Sequence, residues 1–199
     1  MGTRLSIIRA ARKLGFAILL LLGTCTLATN SGFAGNPHFE TIQATYALAG
    51  NAVNVTLTVY NYSTPEDLQV LSQAFQAGQD RGLASALSNT KAVGQCSITG
   101  VLSYDVAFIQ MVPTPTGRRI IFITNRPHPL NEADPPAPFK TFDLAVGQFD
   151  LNDADPAKST GFLFPASKLV IDRQGELHYD LAGSPWALEN VLDSQGTPA

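Results

Sequence analysis

Val53-Asn-Val-Thr-Leu-Thr-Val-Tyr-Asn-Tyr62 alternates in type: Val53, Val55, Leu57 and Val59 share one parity, Asn54, Thr56, Thr58 and Tyr60 the other. Side chains of a strand point to opposite faces with period two, so this stretch reads as a half-buried antiparallel strand. Upstream, Phe39 to Leu48 is equally rich in β-branched and aromatic residues, and Ala49-Gly50-Asn51 marks a turn between the two.

Downstream of this pair the periodicity changes. In Ser63-Thr-Pro-Glu-Asp67, Thr64 suits a helix cap, Pro65 the first helical position, and Glu66 and Asp67 the positive end of the helix dipole. Leu68, Leu71 and Phe75 then form one stripe; Gly78 predicts an end, and a second helix from about Asp80 to Ser88 presents Leu83, Ala84 and Leu87. Strand composition returns at Val93. Val101–Val112 and Arg119–Thr124 flank the turn Pro113-Thr-Pro-Thr-Gly117, which predicts a hairpin. The prolines between Asn125 and Phe139 predict a long loop. Phe142–Leu151, Gly161–Phe164, Lys168–Asp172 and Glu176–Leu181 complete the strands, with Trp186 and Leu188 expected to close over the sheet edge. The expected class is α+β: a predominantly antiparallel β-sheet or partly open barrel, with a short helix pair inserted after the second strand.

The N-terminus carries an address. Arg4, Arg9, Arg12 and Lys13 precede the apolar run Leu14–Leu22, and small residues end at Gly32-Phe-Ala34. That order is the layout of a secretory signal peptide over residues 1–34, with Ala34 as the expected cleavage point and Ala28 as a second. The run is shorter than the roughly 20 apolar residues that span a bilayer. Leu22-Gly-Thr-Cys25 resembles a lipoprotein signal, although Thr24 departs from the small residue usual before the lipidated cysteine. Residues 35–199 then form one globular domain behind a flexible entry segment at about 35–38. Four of the 13 basic residues and none of the 16 acidic ones lie before residue 35, so the remainder carries −7 where the whole chain carries −3. Such a domain, with no Lys/Arg stripe, is a poor match for nucleic acid or an anionic membrane surface. Only Cys96 follows the leader, so no internal disulfide is expected, and a buried small hydrophobe is the favoured role for it.

Candidate sites are few. Arg118, Arg119, Arg126 and His128 cluster in sequence around the hairpin and the Arg126-Pro-His-Pro129 loop and could form a cationic spot for an anion. Asp150, Asn152, Asp153 and Asp155 offer the oxygen ligands that Ca²⁺ prefers. The calcium-loop pattern fails at Ala154 and Asp155, and an acidic turn with Asx-type hydrogen bonds competes with it. His38, His128 and His178 show no paired metal-ligand spacing. Ser88-Asn-Thr-Lys91 matches S-x-x-K, but at the end of a helix rather than its start.

Tyr62-Ser-Thr-Pro-Glu-Asp-Leu-Gln69, Tyr104-Asp-Val-Ala-Phe-Ile-Gln-Met111 and Leu163-Phe-Pro-Ala-Ser-Lys-Leu-Val170 make the region from about Asn61 to Trp186 similar to a group of uncharacterised, predicted-secreted bacterial proteins. The resemblance implies a bacterial envelope origin and transfers no site residue. The expected function is an exported, non-enzymatic envelope or secreted module, periplasmic or extracellular, that binds a small ligand or a protein partner without nucleic acid, cofactor or membrane span. The alternative is a small hydrolase or metal-dependent enzyme using His128 or His178 with nearby carboxylates.

Overall fold

The computed structural model describes residues 40–48, 50–127, 143–171, 177–181 and 184–195. The alternating stretch forms strand β2 (Asn51–Val59), paired antiparallel to β1 (Glu40–Leu48) in an unbroken register from Glu40↔Val59 to Leu48↔Asn51. Ile42, Ala44, Val55, Leu57 and Val59 are buried on one face, whereas Gln43 and Asn54 are exposed on the other.

The remaining strands are β3 (Gly94–Ile98), β4 (Tyr104–Val106), β5 (Phe108–Thr114), β6 (Gly117–Thr124), β7 (Leu144–Asn152), β8 (Thr160–Ile171), β9 (Leu177–Leu181) and β10 (Trp186–Gln195). Their order in the sheet is β4-β3-β2-β1-β10-β8-β7-β6-β5, with β9 added to β8. The pairings are antiparallel. The two outermost strands of that order, β4 and β5, are separated in the chain by Ala107 alone, so the sheet must curl until its edges nearly meet. The segment after β2 spans the seam: Tyr60 N donates to Val93 O (2.8 Å), Ser63 N donates to Ile109 O (2.7 Å), and Ile109 N donates to Ser63 Oγ (3.0 Å). The result is a nearly closed barrel, and closure removes most of the unpaired edge that an open sheet exposes. Its interior is one apolar cluster drawn from both halves of the sheet, including Ile42, Leu57, Cys96, Ile109, Phe122, Phe149, Leu163 and Leu188.

Three strand expectations change. Val101–Val112 is two strands broken at Ala107, where the chain passes from one sheet edge to the other. Gly161–Phe164 and the described part of Lys168–Asp172, up to Ile171, are one strand, β8, which runs through Pro165. The β7–β8 register shifts between Val146↔Phe164 and Leu144↔Ser167, so Pro165 falls in a bulge where its missing N–H costs no ladder bond. Trp186 and Leu188, expected over a sheet edge, lie in β10, the central strand that joins the β1 half to the β8 half. A register irregularity between Gln43 and Thr45, with Asn190 at φ 51°, disguises that strand in the sequence.

The helical episode is corrected as well. In place of a helix pair there is one helix, α1 (Pro65–Asn89), opened by a reciprocal cap: Asp67 N donates to Thr64 Oγ1 (3.2 Å), and Thr64 N donates to Asp67 Oδ2 (2.8 Å). The end expected at Gly78 appears one residue later as an interruption within this element: Gln79 takes non-helical backbone angles, with a left-handed φ of 52°, and the helix resumes beyond it. The bend is sharp enough that a Cβ at Gly82 would strike the Ala74 carbonyl, two residues a straight helix would hold about 12 Å apart along its axis. Leu71, Phe75, Leu83 and Leu87, from both sides of the bend, pack on Ala107, Phe108 and Leu144 of the outer barrel wall. With the barrel interior on one side and α1 on the other, β7 is buried at almost every position.

Candidate functional site

Where β1 begins, the inward parity of the barrel stops being apolar. Glu40 shares the parity of Ile42 and Ala44, and Arg118 on β6 shares that of Ile120 and Phe122, so the strands aim both charges inward. Arg118 Nη2 donates to Glu40 Oε1 (3.0 Å) and to Asp193 Oδ2 of β10 (2.5 Å), and Nη1 donates to Asp153 Oδ1 (3.0 Å) just after β7. Tyr62, just past β2, donates its hydroxyl to Glu40 Oε2. Glu40 Oε1 and Asp193 Oδ2 thus accept from the same guanidinium nitrogen, and the two residues are diagonal neighbours across the β1–β10 pair. Side-chain exposure rises from 8 % at Glu40 through 17 % at Arg118 and 24 % at Asp193 to 59 % at Asp153, so the cluster runs from the interior to the rim.

The electrostatics follow from that position. Burial, and then the hydrogen bond to Glu40, hold the Tyr62 hydroxyl well above the ordinary phenol value. Burial, and then the Glu40 charge, raise Asp193 against the pull of Arg118. Burial opposes the Arg118 charge, but Glu40, Asp193 and Asp153 together outweigh it and raise the guanidinium further. Three carboxyl groups face one guanidinium, so with all of them ionised the mouth has an acidic excess. Six residues further along β1, Tyr46 stacks on Trp186 with ring centroids 4.9 Å apart.

Of the residues singled out in the sequence, Arg118 alone joins this cluster from the cationic set, and Asp153 from the acidic one. Neighbouring residues of a strand face opposite ways, so Arg119 points outward, where its Nε donates to Asp150 Oδ1 (2.5 Å). The Arg126 guanidinium lies 4.4 Å over the Tyr104 ring in a cation–π contact. The three arginines therefore serve three separate places. His38 and His128 lie outside the described residues, as do the leader and Cys25, the entry segment and most of the proline-rich loop; His178 sits in β9 opposite Val170, its side chain outside the described part.

The acidic segment does not converge. Asp150 also accepts from Gln148 Nε2 (2.8 Å), Asn152 Oδ1 accepts from the backbone N–H of Ala154 (3.2 Å) and Asp155 (2.9 Å) in an Asx turn, and Asp155 pairs with Lys158 (3.0 Å). Among the described residues no group of three or more His, Cys, Asp or Glu side chains is placed to hold a metal ion. Ser88 Oγ donates to Ala84 O (2.9 Å) and accepts from Asn125 Nδ2 (2.7 Å), which makes it a helix-end contact. Cys96 is fully buried, and burial pushes its thiol up to about 12. Thiol reagent is therefore expected to label Cys96 only as fast as the barrel unfolds, with peptide mapping to separate it from Cys25. Labelling of the native protein at pH 8 at the rate of a free thiol would contradict this packing.

Sequence reasoning missed Glu40, Tyr62 and Asp193. A signal existed for the first: Glu40 and Arg118 are opposite charges standing in the apolar parity of their strands, and buried charges demand partners. Asp193 had none, because the register irregularity of β10 hides its parity.

No protein-family model matches the chain, and no curated protein or solved structure matches it either. Among the described residues no helix is long and apolar enough to cross a membrane.

Proposed function

We propose that this chain is an exported, non-enzymatic binding module of the bacterial envelope or its surroundings, and that its barrel mouth receives a small cationic ligand or a basic side chain of a protein partner. The observation that carries this reading is the convergence of Glu40, Asp193, Asp153 and Tyr62 on a single cation, Arg118, at the graded rim of an otherwise apolar interior. A mouth lined this way attracts positive charge, and its groups reach from water into the barrel. The leader pattern and the resemblance to predicted-secreted bacterial proteins support export.

The test is a titration of the ¹⁵N-labelled protein with spermidine, with citrate as the anionic control. Saturable shifts confined to amides of residues 40–43 and 191–195 with spermidine alone are expected. Absence of any saturable response to spermidine, or turnover of chromogenic acyl, phosphoryl or glycosyl esters that survives in Arg118→Met, would overturn the reading.

A further inference from the structure

The outer half of β10 is held differently from the rest of the barrel. Its pairing with β8 covers Trp186, Ala187 and Leu188, and beyond Leu188 the ladder continues on the β1 side alone. That one-sided stretch includes Thr45↔Glu189 and, past Asn190 at φ 51°, is tied to β1 through the pairs Gln43↔Leu192, Ile42↔Asp193, Thr41↔Ser194 and Glu40↔Gln195. Ser194 Oγ adds a bond to Thr41 O (3.1 Å). A strand end paired on one side is the kind of unit that opens before the fold as a whole.

Asp193 sits on this stretch with its side chain on the barrel's inner side, diagonal to Glu40 across the β1–β10 pair. Glu40 already accepts from Arg118 Nη2 and from the Tyr62 hydroxyl, so it presents acceptor oxygens to Asp193. Asp193 has the Arg118 Nη2 contact and faces Glu40 with a like group. Two carboxyl groups on one guanidinium nitrogen repel each other when both are ionised, and a proton on Asp193 relieves that repulsion. We propose that the Glu40–Asp193 pair is a proton-operated clasp: a proton held by Asp193 and donated to Glu40 ties the outer half of β10 to the start of β1, and its loss drives these two strand ends apart.

Around Asp193, β1 supplies Glu40, β6 supplies Arg118, and the segment after β2 supplies Tyr62. Asp153, after β7, draws on Arg118 Nη1 and so competes for the cation that would otherwise offset the lost proton. The 3-10 turn Pro156–Lys158 packs against β10 and brings Asp155 and Lys158, which neutralise each other. One cation shared among three carboxyl groups leaves the deprotonated pair under-compensated. A carboxyl that holds its proton more tightly in the folded state stabilises the clasp at acid pH, and that contribution is lost as pH rises through the folded value. Opening the clasp would uncover the inner side of the mouth; that consequence rests on the binding reading above, whereas the clasp itself is measured without any ligand.

The experiment is a carbon-detected titration of the Asp and Glu carboxyls of the protein, with amide exchange corrected for its intrinsic pH dependence. Asp193 is expected to titrate above the ordinary carboxylate range, and in Glu40→Gln to move back towards it. Protection of residues 41–43 and 191–194 is expected to fall across the Asp193 midpoint, about tenfold for each pH unit by which that midpoint exceeds the ordinary value, while β6–β7 amides stay unchanged. Asp193→Asn, which cannot ionise, should keep its protection at both ends of the range. A midpoint for Asp193 in the ordinary range overturns the proposal, and so does a fall in protection that persists in Asp193→Asn. If that variant fails to fold, the wild-type midpoint and its response to Glu40→Gln still decide.

Discussion

Replacing Phe122 with alanine is expected to cost the barrel about 3–5 kcal/mol, the range for removing a fully buried aromatic side chain from a core. Phe122 is 1 % exposed, packs beside Phe149 with ring centroids 6.2 Å apart, and sits in the cluster that joins both halves of the sheet. Its ring lies over Gly147, the residue opposite it on β7, so closely that a Cβ there would fall inside the ring's van der Waals envelope. Gly147 is therefore the space that Phe122 fills. Gly147→Ala alone should destabilise by about 1–3 kcal/mol through overpacking, since β7 has no free side towards which to yield. Phe122→Leu combined with Gly147→Ala should lose less than the sum of the two single changes, because the smaller side chain makes room for the new methyl. Urea denaturation of the four proteins measures the coupling. Strict additivity would show that the ring and the glycine do not compete for one space.

Removing the Arg118 charge should have the next largest effect. Arg118→Met keeps much of the stem volume but leaves Glu40 and Asp193 without their counter-charge. The expected loss is about 3 kcal/mol at pH 7, the low end for breaking a buried pair because this guanidinium is partly exposed. The loss has a direction in pH. Arg118 is what pulls against the raised Asp193 carboxyl, so without it Asp193 takes up a proton still more readily in the folded state than in the unfolded one, and the variant should regain stability as pH falls towards 5. Denaturation midpoints at the two pH values test this, and a deficit of equal size at both would remove Arg118 from its role as counter-charge. At the alkaline end the raised Tyr62 hydroxyl and the Cys96 thiol, pushed up to about 12, both favour unfolding as pH rises, because the unfolded chain releases those protons first.

How much of this was legible varies with the range of the interaction. The β1–β2 alternation, the Thr64–Pro65 helix start and the hairpin depend on neighbours within a few residues; the first two stand where the sequence places them, and the hairpin turn expected over Pro113–Gly117 narrows to Pro115-Thr116. The break at Gln79 lies one residue past Gly78, where the sequence places a helix end, whereas the packing of both halves on one wall shows only in the fold. β10 was hidden because an irregular register breaks the parity on which strand reading depends. The candidate site shows the same division. Glu40 and Arg118 betray themselves as charges in apolar parity, whereas Asp193, 153 residues from Glu40 in the chain, reaches it only through the β1–β10 pairing.

By itself, then, the sequence determined the strand-rich class, the positions of turns and cap, and the acidity of everything after residue 34, all of which follow from composition and from contacts close in the chain. Tertiary structure decided that the two sheet edges meet across Ala107, that β10 is central rather than peripheral, and that Arg118 and Arg119 serve opposite faces of one wall. Those outcomes rest on pairings between residues far apart in the chain, where closing the barrel brings buried charges within reach of one another.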